Sequence, residues 1–410
     1  MKERIGILGG GAAGFFGAIQ IASISKGKSE IAILEKSNEA LSKVKISGGG
    51  RCNVTHNLFD PVALSEKYPR GSKELRAAFE RFQPKDTIEW FKNRGVLLKS
   101  EPDGRMFPVS DSSSDIIDCF IRESEYNNIK IYLNTNVTSI YIDKSNKNSG
   151  FRLACAGGEE FYFDKLLVAS GSNRKVWGWM EALGHTIEKP VPSLFTLNID
   201  DELLKELSGI SIPEASIQIY PKGKLQTGAI LITHWGLSGP AVLRLSAWEA
   251  RDFAECDYKT KIRINWAKNM PGEECISILQ SLKNNFPSKK ILSLNLNFPS
   301  RLWEYFIKSS KIHEDKRWSE ISKSEMNQLK DRIVSSVYDV NGKGVFKDEF
   351  VTCGGIKRKE VDFRTMESKI IPGLFFAGEV LDVDGITGGF NFQNAWTTAS
   401  IAAQGIWKSH

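Results

Sequence analysis

The chain has 410 residues, 41% hydrophobic and 25% charged, with 55 Lys and Arg against 49 Asp and Glu. That is too much chain for one ordinary core, so two or three globular domains are expected. A net charge of +6 is weak ground for a nucleic-acid partner, and no apolar run reaches the roughly 20 residues that span a bilayer. Six scattered cysteines without a C-x-x-C pair give neither a disulfide framework nor a zinc site, so no metal is expected and a reducing, cytoplasmic compartment is.

The opening stretch, RIGILGGGAAGFFGAIQIASI, admits two readings. Lys2 and Arg4 ahead of small and apolar residues begin as a signal peptide begins. Yet RIGIL reads as a buried parallel strand, and Gly9, Gly11 and Gly14 follow it at G-x-G-x-x-G spacing. Gly9 allows the turn, Gly11 lets backbone amides approach a pyrophosphate, and Gly14 lets the next helix pack on the strand. That helix is expected to run to about Lys26. A second strand, IAIL, ends in Glu35, 21 residues beyond Gly14, where a carboxylate accepts from an adenosine ribose and where no other role for it is evident. A signal peptide needs neither the second strand nor the acid. The segment is therefore read as a dinucleotide floor, with the mature protein beginning at Met1.

KVKISGGGRCNVTH, Lys43 to His56, comes next. Three glycines permit close backbone approach to a ligand, and Arg51 is a candidate for a phosphate or a substrate anion. A redox pair of Cys52 with Cys353 is the sharper reading of those cysteines, but small structural residues are the better one. Amphipathic helices are expected around Phe82–Gly95 and Ser112–Glu123, then the strands IKIYL, VTSIYID and KLLVASGS. From VPSLFTLNI to about Trp266 the pattern changes to short alternating strands, as in a small barrel. His234, in THWGLSGP, is placed at the head of a helix as a candidate proton donor or acceptor. Glu273–Ile333 reads as helical, its bases interleaved with acids as on a solvated face, and strands are expected to resume near Val345.

The far end identifies the dinucleotide. IPGLFFAGEVLDVDGITGGFNFQNAWTTASIAAQG reads as a strand over Leu374–Ala377, the pair Gly378–Glu379, a loop, and a helix from about Gly389. Strand–Gly–acid suits the ribityl chain of FAD, and helix N-terminal amides after Gly388–Gly389 suit the pyrimidine side of a flavin. NAD needs no such second cradle. No second G-x-G-x-x-G occurs in mid-chain, so NAD(P)H, if it is the electron donor, docks only transiently.

Together GILGGGAAG, KVKISGGGRCNVTH, EPDGRMFPVSD, LITHWGLSGPAVLRLS, VTCGGI and TMESKIIPGLFFAGEVLDVDGITGGFNFQNAWTTA resemble the bacterial FAD flavoprotein family related to aminoacetone oxidase and the 3-dehydro-bile-acid reductases. Two departures stand out: Phe390 where Tyr is common, and Asn394 where an aromatic is usual. The resemblance implies an α/β fold, with a Rossmann-like FAD-binding domain formed by both chain ends, residues 1–190 and 351–410. A β-barrel-like substrate domain, 191–270 and 334–350, is inserted in it and carries a helical insertion, 271–333. Cofactor contacts are assigned to Gly9, Gly11, Ala13, Gly14, Glu35, Lys36, Ser47, Gly48, Gly50, Arg51, Cys52 and Asn53. Further contacts are assigned to Val137, Ser170, Gly171, Gly378, Glu379, Gly388, Gly389, Phe390, Asn391 and Gln393. Arg51 and His234 are the catalytic candidates. The implied activity is an oxidoreductase with non-covalent FAD, favouring NAD(P)H-linked reduction of an activated double bond in a small or medium molecule. Oxygen-dependent oxidation of a small amine, an RNA-modifying flavoprotein and a non-enzymatic flavin sensor are the alternatives.

Overall fold

A computed structural model describes residues 2–143, 150–344 and 351–408. Contacts divide the chain into two units, Met1–Pro190 with Val351–His410, and Val191–Phe350.

The first unit is built on a seven-stranded sheet in the order Val361–Asp362, Glu367–Ser368, Leu374–Phe376, Lys165–Val168, Glu3–Leu8, Ser29–Leu34, Lys130–Tyr132. The last five of these run parallel. Glu3–Leu8 and Ser29–Leu34 each end in four consecutive buried residues, as central parallel strands covered on both faces should. The helices Ala12–Ser25 and Phe390–Lys408 pack along each other, and a three-stranded antiparallel sheet (Val137–Asp143, Gly150–Cys155, Glu160–Phe163) packs by Glu3–Leu8. Because Leu374–Phe376 pairs with Lys165–Val168, the chain's last segment completes the sheet begun by its first.

The second unit is a closed barrel of six strands, in the order Leu197–Ile199, Gly236–Ser238, Gln226–Thr233, Ser211–Tyr220, Thr260–Asn265, Ser336–Lys343. Helices Gly272–Asn285, Ser300–Ser309 and Lys323–Val334 follow the fifth strand. They share one core with the barrel: Ile217, Ile232 and Ile262 cluster with Leu279, Trp303, Phe306, Trp318 and Leu329. Two expectations are corrected. The closing strand begins at Ser336, because Ser336, Tyr338 and Val340 alternate into the barrel; Val345 lies outside the described residues. His234 does not head a helix. It sits exposed in the turn between Gln226–Thr233 and Gly236–Ser238, and the helix begins only at Pro240.

Candidate functional site

The turn after Glu3–Leu8 ties two parallel strands together: Gly9 N donates to Leu34 O at 2.9 Å and Gly10 N to Glu35 Oε2 at 2.7 Å. Gly14 lies so close over this turn that a Cβ there would collide with Gly9 O. Gly11 is the opposite case, for beyond its chain neighbours its Cβ would meet no atom of the described residues within 4 Å. The amino end of a 14-residue helix, with buried Ala13 in its first turn, therefore opens onto unfilled space, which suits an anion. Glu35 also accepts from Ser37 N at 2.8 Å and Ser37 Oγ at 2.6 Å. The carboxylate thus organises the turn itself, which corrects the expectation that only a ribose would give it a role. Thr135 N donates to Glu35 O at 2.8 Å, which sets the start of the strand carrying buried Val137 beside the acid. Ser170 Oγ is buried there with no hydrogen-bond partner among the described residues.

Further along, distant segments meet. Lys43 Nζ lies 2.8 Å from Glu379 Oε2. A Cβ on Gly171 would stand 3.7 Å from that oxygen and 3.9 Å from Lys43 Nζ, and one on Gly378 would stand 3.1 Å from Ala13 Cβ. Residues 42–50 form a kinked helical segment in which Ser47 turns extended (ψ 148) and Gly48, Gly49 and Gly50 take φ of +58, +70 and +85. L side chains rarely enter that region, so the three glycines are what shape this exposed loop. The loop then docks on the C-terminal helix. The Asn53 amide, oriented by its partners, donates to Thr55 O and accepts from Gly389 N, each at 3.0 Å. Trp396 Nε1 donates to Val54 O at 2.9 Å. The His56 ring stacks on Phe390, centroids 4.8 Å apart and planes 18° apart, and Tyr68 Oη donates to Phe390 O at 2.6 Å. The loop before the helix is fixed by Asn391, whose amide bonds both Gly385 N and Gly385 O, and by a buried pair of Arg70 with Asp384.

Several expected contacts are otherwise engaged. Arg51 bonds Glu101 at 2.6 Å, lies 3.4 Å from Asp111 and covers the Phe107 ring at 4.0 Å, so its guanidinium is not waiting for a phosphate. Gln393 is fully buried, with Oε1 accepting from Thr55 and Thr87 and Nε2 donating to Thr397. Its side chain belongs to the packing, not to a ligand. Asn391 likewise serves its own loop. Cys52 is buried in a left-handed conformation, and burial pushes its thiol up to about 12, the form least suited to redox relay. Lys36 is exposed beside Glu35. His234 lies edge-on to Trp235, centroids 4.3 Å apart. The sequence reading missed Lys43 and His56, although both stand inside the stretch KVKISGGGRCNVTH.

These residues fit a flavin dinucleotide. The space over Gly11 and the orphaned Ser170 Oγ suit the pyrophosphate end, and the Gly48–Gly50 loop with the amino end of Phe390–Lys408 suits the flavin end. The fully buried Asn394 amide, on the same helix, also has no partner among the described residues at Nδ2 or Oδ1.

The fold and the paired cradles define an FAD-dependent oxidoreductase of the Rossmann class. The chain belongs to the HI0933-like protein family, whose Rossmann-domain model matches residues 3–405. Over 98% of both chains it is 27% identical to a 3-dehydro-bile acid delta(4,6)-reductase of Clostridium scindens. It is 29% identical to a ribosomal RNA dihydrouridine synthase of Escherichia coli, over 98% of this chain and 97% of the relative. Among solved structures it resembles a flavocytochrome c3 fumarate reductase in its open conformation (TM-score 0.51, 15% identity, 99% of this chain and 78% of that one). It also resembles the 3-ketosteroid-delta4-(5alpha)-dehydrogenase of Rhodococcus jostii (TM-score 0.50, 12% identity, 98% and 97%). At such identities the structural likeness speaks for the fold alone. No helix among the described residues is long and apolar enough to cross a membrane.

Proposed function

We propose that this enzyme adds hydrogen across a carbon–carbon double bond conjugated to a carbonyl, with NAD(P)H as a transient electron donor. The observation that carries the reading is chemical. Two relatives of nearly equal similarity, matched end to end, are named for acceptors as unlike as a bile acid and a uridine. Yet a 4,6-unsaturated 3-oxo steroid and a uracil ring both present an alkene activated by a carbonyl.

Bound FAD would supply hydride. The chain's own part is to hold it: the amino end of Ala12–Ser25 and Ser170 for the pyrophosphate, Lys43 and Glu379 along the ribityl stretch, and the amino end of Phe390–Lys408 for the flavin ring, where it favours negative charge. A small or medium cyclic enone is the first reading of the acceptor. A uridine within ribosomal RNA is the second, favoured by the dihydrouridine synthase relatives in two organisms. Arg51, committed to two carboxylates, serves to brace its loop, and exposed His234 is assigned to substrate contact.

The test is anaerobic. Photoreduced holoenzyme is mixed with a 3-oxo-4,6-diene steroid or with uridine-containing ribosomal RNA, and return of the oxidised flavin band is followed together with product mass. A gain of two hydrogens in either acceptor supports the reading. Neither acceptor reduced, with reoxidation and amine turnover only in a parallel aerobic run, would replace it with an oxidase.

A further inference from the structure

A charge taken out of water needs a partner. The half-buried arginines Arg70, Arg94 and Arg358 each face a carboxylate. Arg244, half-buried in the helix Pro240–Trp248 of the barrel unit, does not. Its Nη2 donates to Thr227 O, a bond that uses one of five guanidinium N–H groups, and no carboxylate among the described residues pairs with it. Burial alone acts on its titration, lowering it from the ordinary arginine value. Glu249, the closest acid in sequence, accepts from Lys224 N at 2.6 Å instead. Two further sets of donors lie beside the guanidinium. Gln226 and Gly228 are two residues apart on the strand Gln226–Thr233, so they share one face of it, about 7 Å apart. A Cβ on Gly228 would collide with Arg244 Nη2 and stand 3.8 Å from Ala241 N, so the guanidinium occupies the place a side chain would take. Gln226 is only 7% exposed, and its Nε2 is buried with no partner among the described residues. Ala241 and Val242 follow Pro240 at the amino end of the helix, where N–H groups have no intrahelical acceptor and the dipole favours negative charge.

We propose that Arg244, Gln226 and the amino end of Pro240–Trp248 form a subsite for one oxyanion, a carboxylate or a phosphate, carried by the acceptor. The choice of acceptor rests on the reduction reading above: the molecule that fits is an activated alkene with an anionic group set apart from its ring. The half-buried guanidinium is the part that solvent and ligand reach. Its remaining N–H groups form the planar fork that carboxylate and phosphate oxygens match in pairs. An anion seated on it also supplies the acceptor that Gln226 Nε2 lacks. A neutral acceptor makes no such use of these donors. Gly228 is part of the same device, because any larger residue there would displace the guanidinium from its seat on the strand.

The experiment is a binding titration of oxidised holoenzyme, whose pyrophosphate cradle FAD already fills, and it needs no turnover. Inorganic phosphate is the first probe: wild type should show a saturable site that R244Q loses. Two matched pairs follow, a 3-oxo-4,6-diene steroid acid against its methyl ester, and uridine 5′-monophosphate against uridine. Wild type should bind the charged member of one pair about tenfold more tightly than the neutral member, or more. A preference in the steroid pair assigns the anion to a side-chain carboxylate, and one in the uridine pair to a nucleotide phosphate. R244Q should bind charged and neutral members alike. R244K, a point charge without the fork, should keep part of the preference, and Q226L should lose part of it. Thermal melts establish that each variant is folded. No saturable phosphate site in wild type, equal binding within both pairs by wild type, or a preference that survives in R244Q overturns the subsite, and the first two need no variant. Failure of wild type to reduce either acceptor, with its preference for the charged member intact, overturns the reduction reading and leaves the subsite standing.

Discussion

Replacing Gly11 by Val separates what the fold requires from what the cofactor requires. Gly11 is the N-cap of Ala12–Ser25 with φ −93 and ψ −169, extended backbone open to any residue, and beyond its chain neighbours no atom of the described residues lies within 4 Å of where its Cβ would be. The apoprotein should therefore lose only the difference between Gly and Val as a cap, about 1 kcal/mol, or a shift of about 2–4 °C for a unit this size. The cofactor stands to lose far more. A branched side chain at the amino end of the helix fills the approach of the pyrophosphate, and one or two charge-assisted hydrogen bonds forfeited there amount to about 3 kcal/mol, about 100-fold in affinity. Gly14→Ala is the contrast: its Cβ collides with Gly9 O, so fold and cofactor should fail together. Fluorescence titration of apoprotein with FAD, beside thermal melts of the same samples, reads both quantities. A Gly11→Val variant that melts normally and binds FAD within threefold of wild type would refute the placement of the pyrophosphate.

Four further outcomes follow from the same geometry. Glu379→Ala should weaken FAD by about 10- to 100-fold, measured by the same titration, while stability changes little because Lys43, its partner, is largely exposed; unchanged affinity would mean the C-terminal cradle has been misread. Asp384→Ala removes the partner of Arg70 at a site with no exposure and should cost about 3–5 kcal/mol in urea denaturation, a loss below 1 kcal/mol counting against a buried pair. Timed alkylation with mass spectrometry should label Cys155 and Cys256 long before buried Cys52 and Cys353; fast labelling of Cys52 would revive the redox reading. Lys316 and the Ser322 cap hold Glu325 down at about 2 against an ordinary 4.5, so its contribution is complete above pH 4.5 and fades as pH falls toward 2; Glu325→Gln should lose that part of the acid slope in denaturation curves, and an unaltered slope would deny it.

Much of the fold was legible because its signals are local. RIGIL and IAIL are short, apolar and β-branched, and both are central strands. Gly9, Gly11 and Gly14 mark a turn whose geometry needs small residues at two places and empty space at the third. The barrel was visible as alternation, and where the reading slipped, the alternation SVYDV from Ser336 was already there although strands were expected to resume only near Val345. Side-chain roles were less legible, because spacing gives a position and not a partner. Glu35 stands where expected, yet its oxygens already serve Gly10 and Ser37, so the motif alone does not separate a ribose ligand from a turn brace. Arg51 looked like an anion site because Glu101 and Asp111, 50 and 60 residues away, cannot be paired with it from sequence. His56 was overlooked for the converse reason: its contacts, the Asp103 carbonyl at Nε2 and the Phe390 ring beneath it, come from the 101–105 hairpin and the C-terminal helix folding onto its loop. At position 390 the Phe ring stacks on the His56 ring, and the backbone carbonyl accepts from the Tyr68 hydroxyl, contacts that also join segments far apart in sequence.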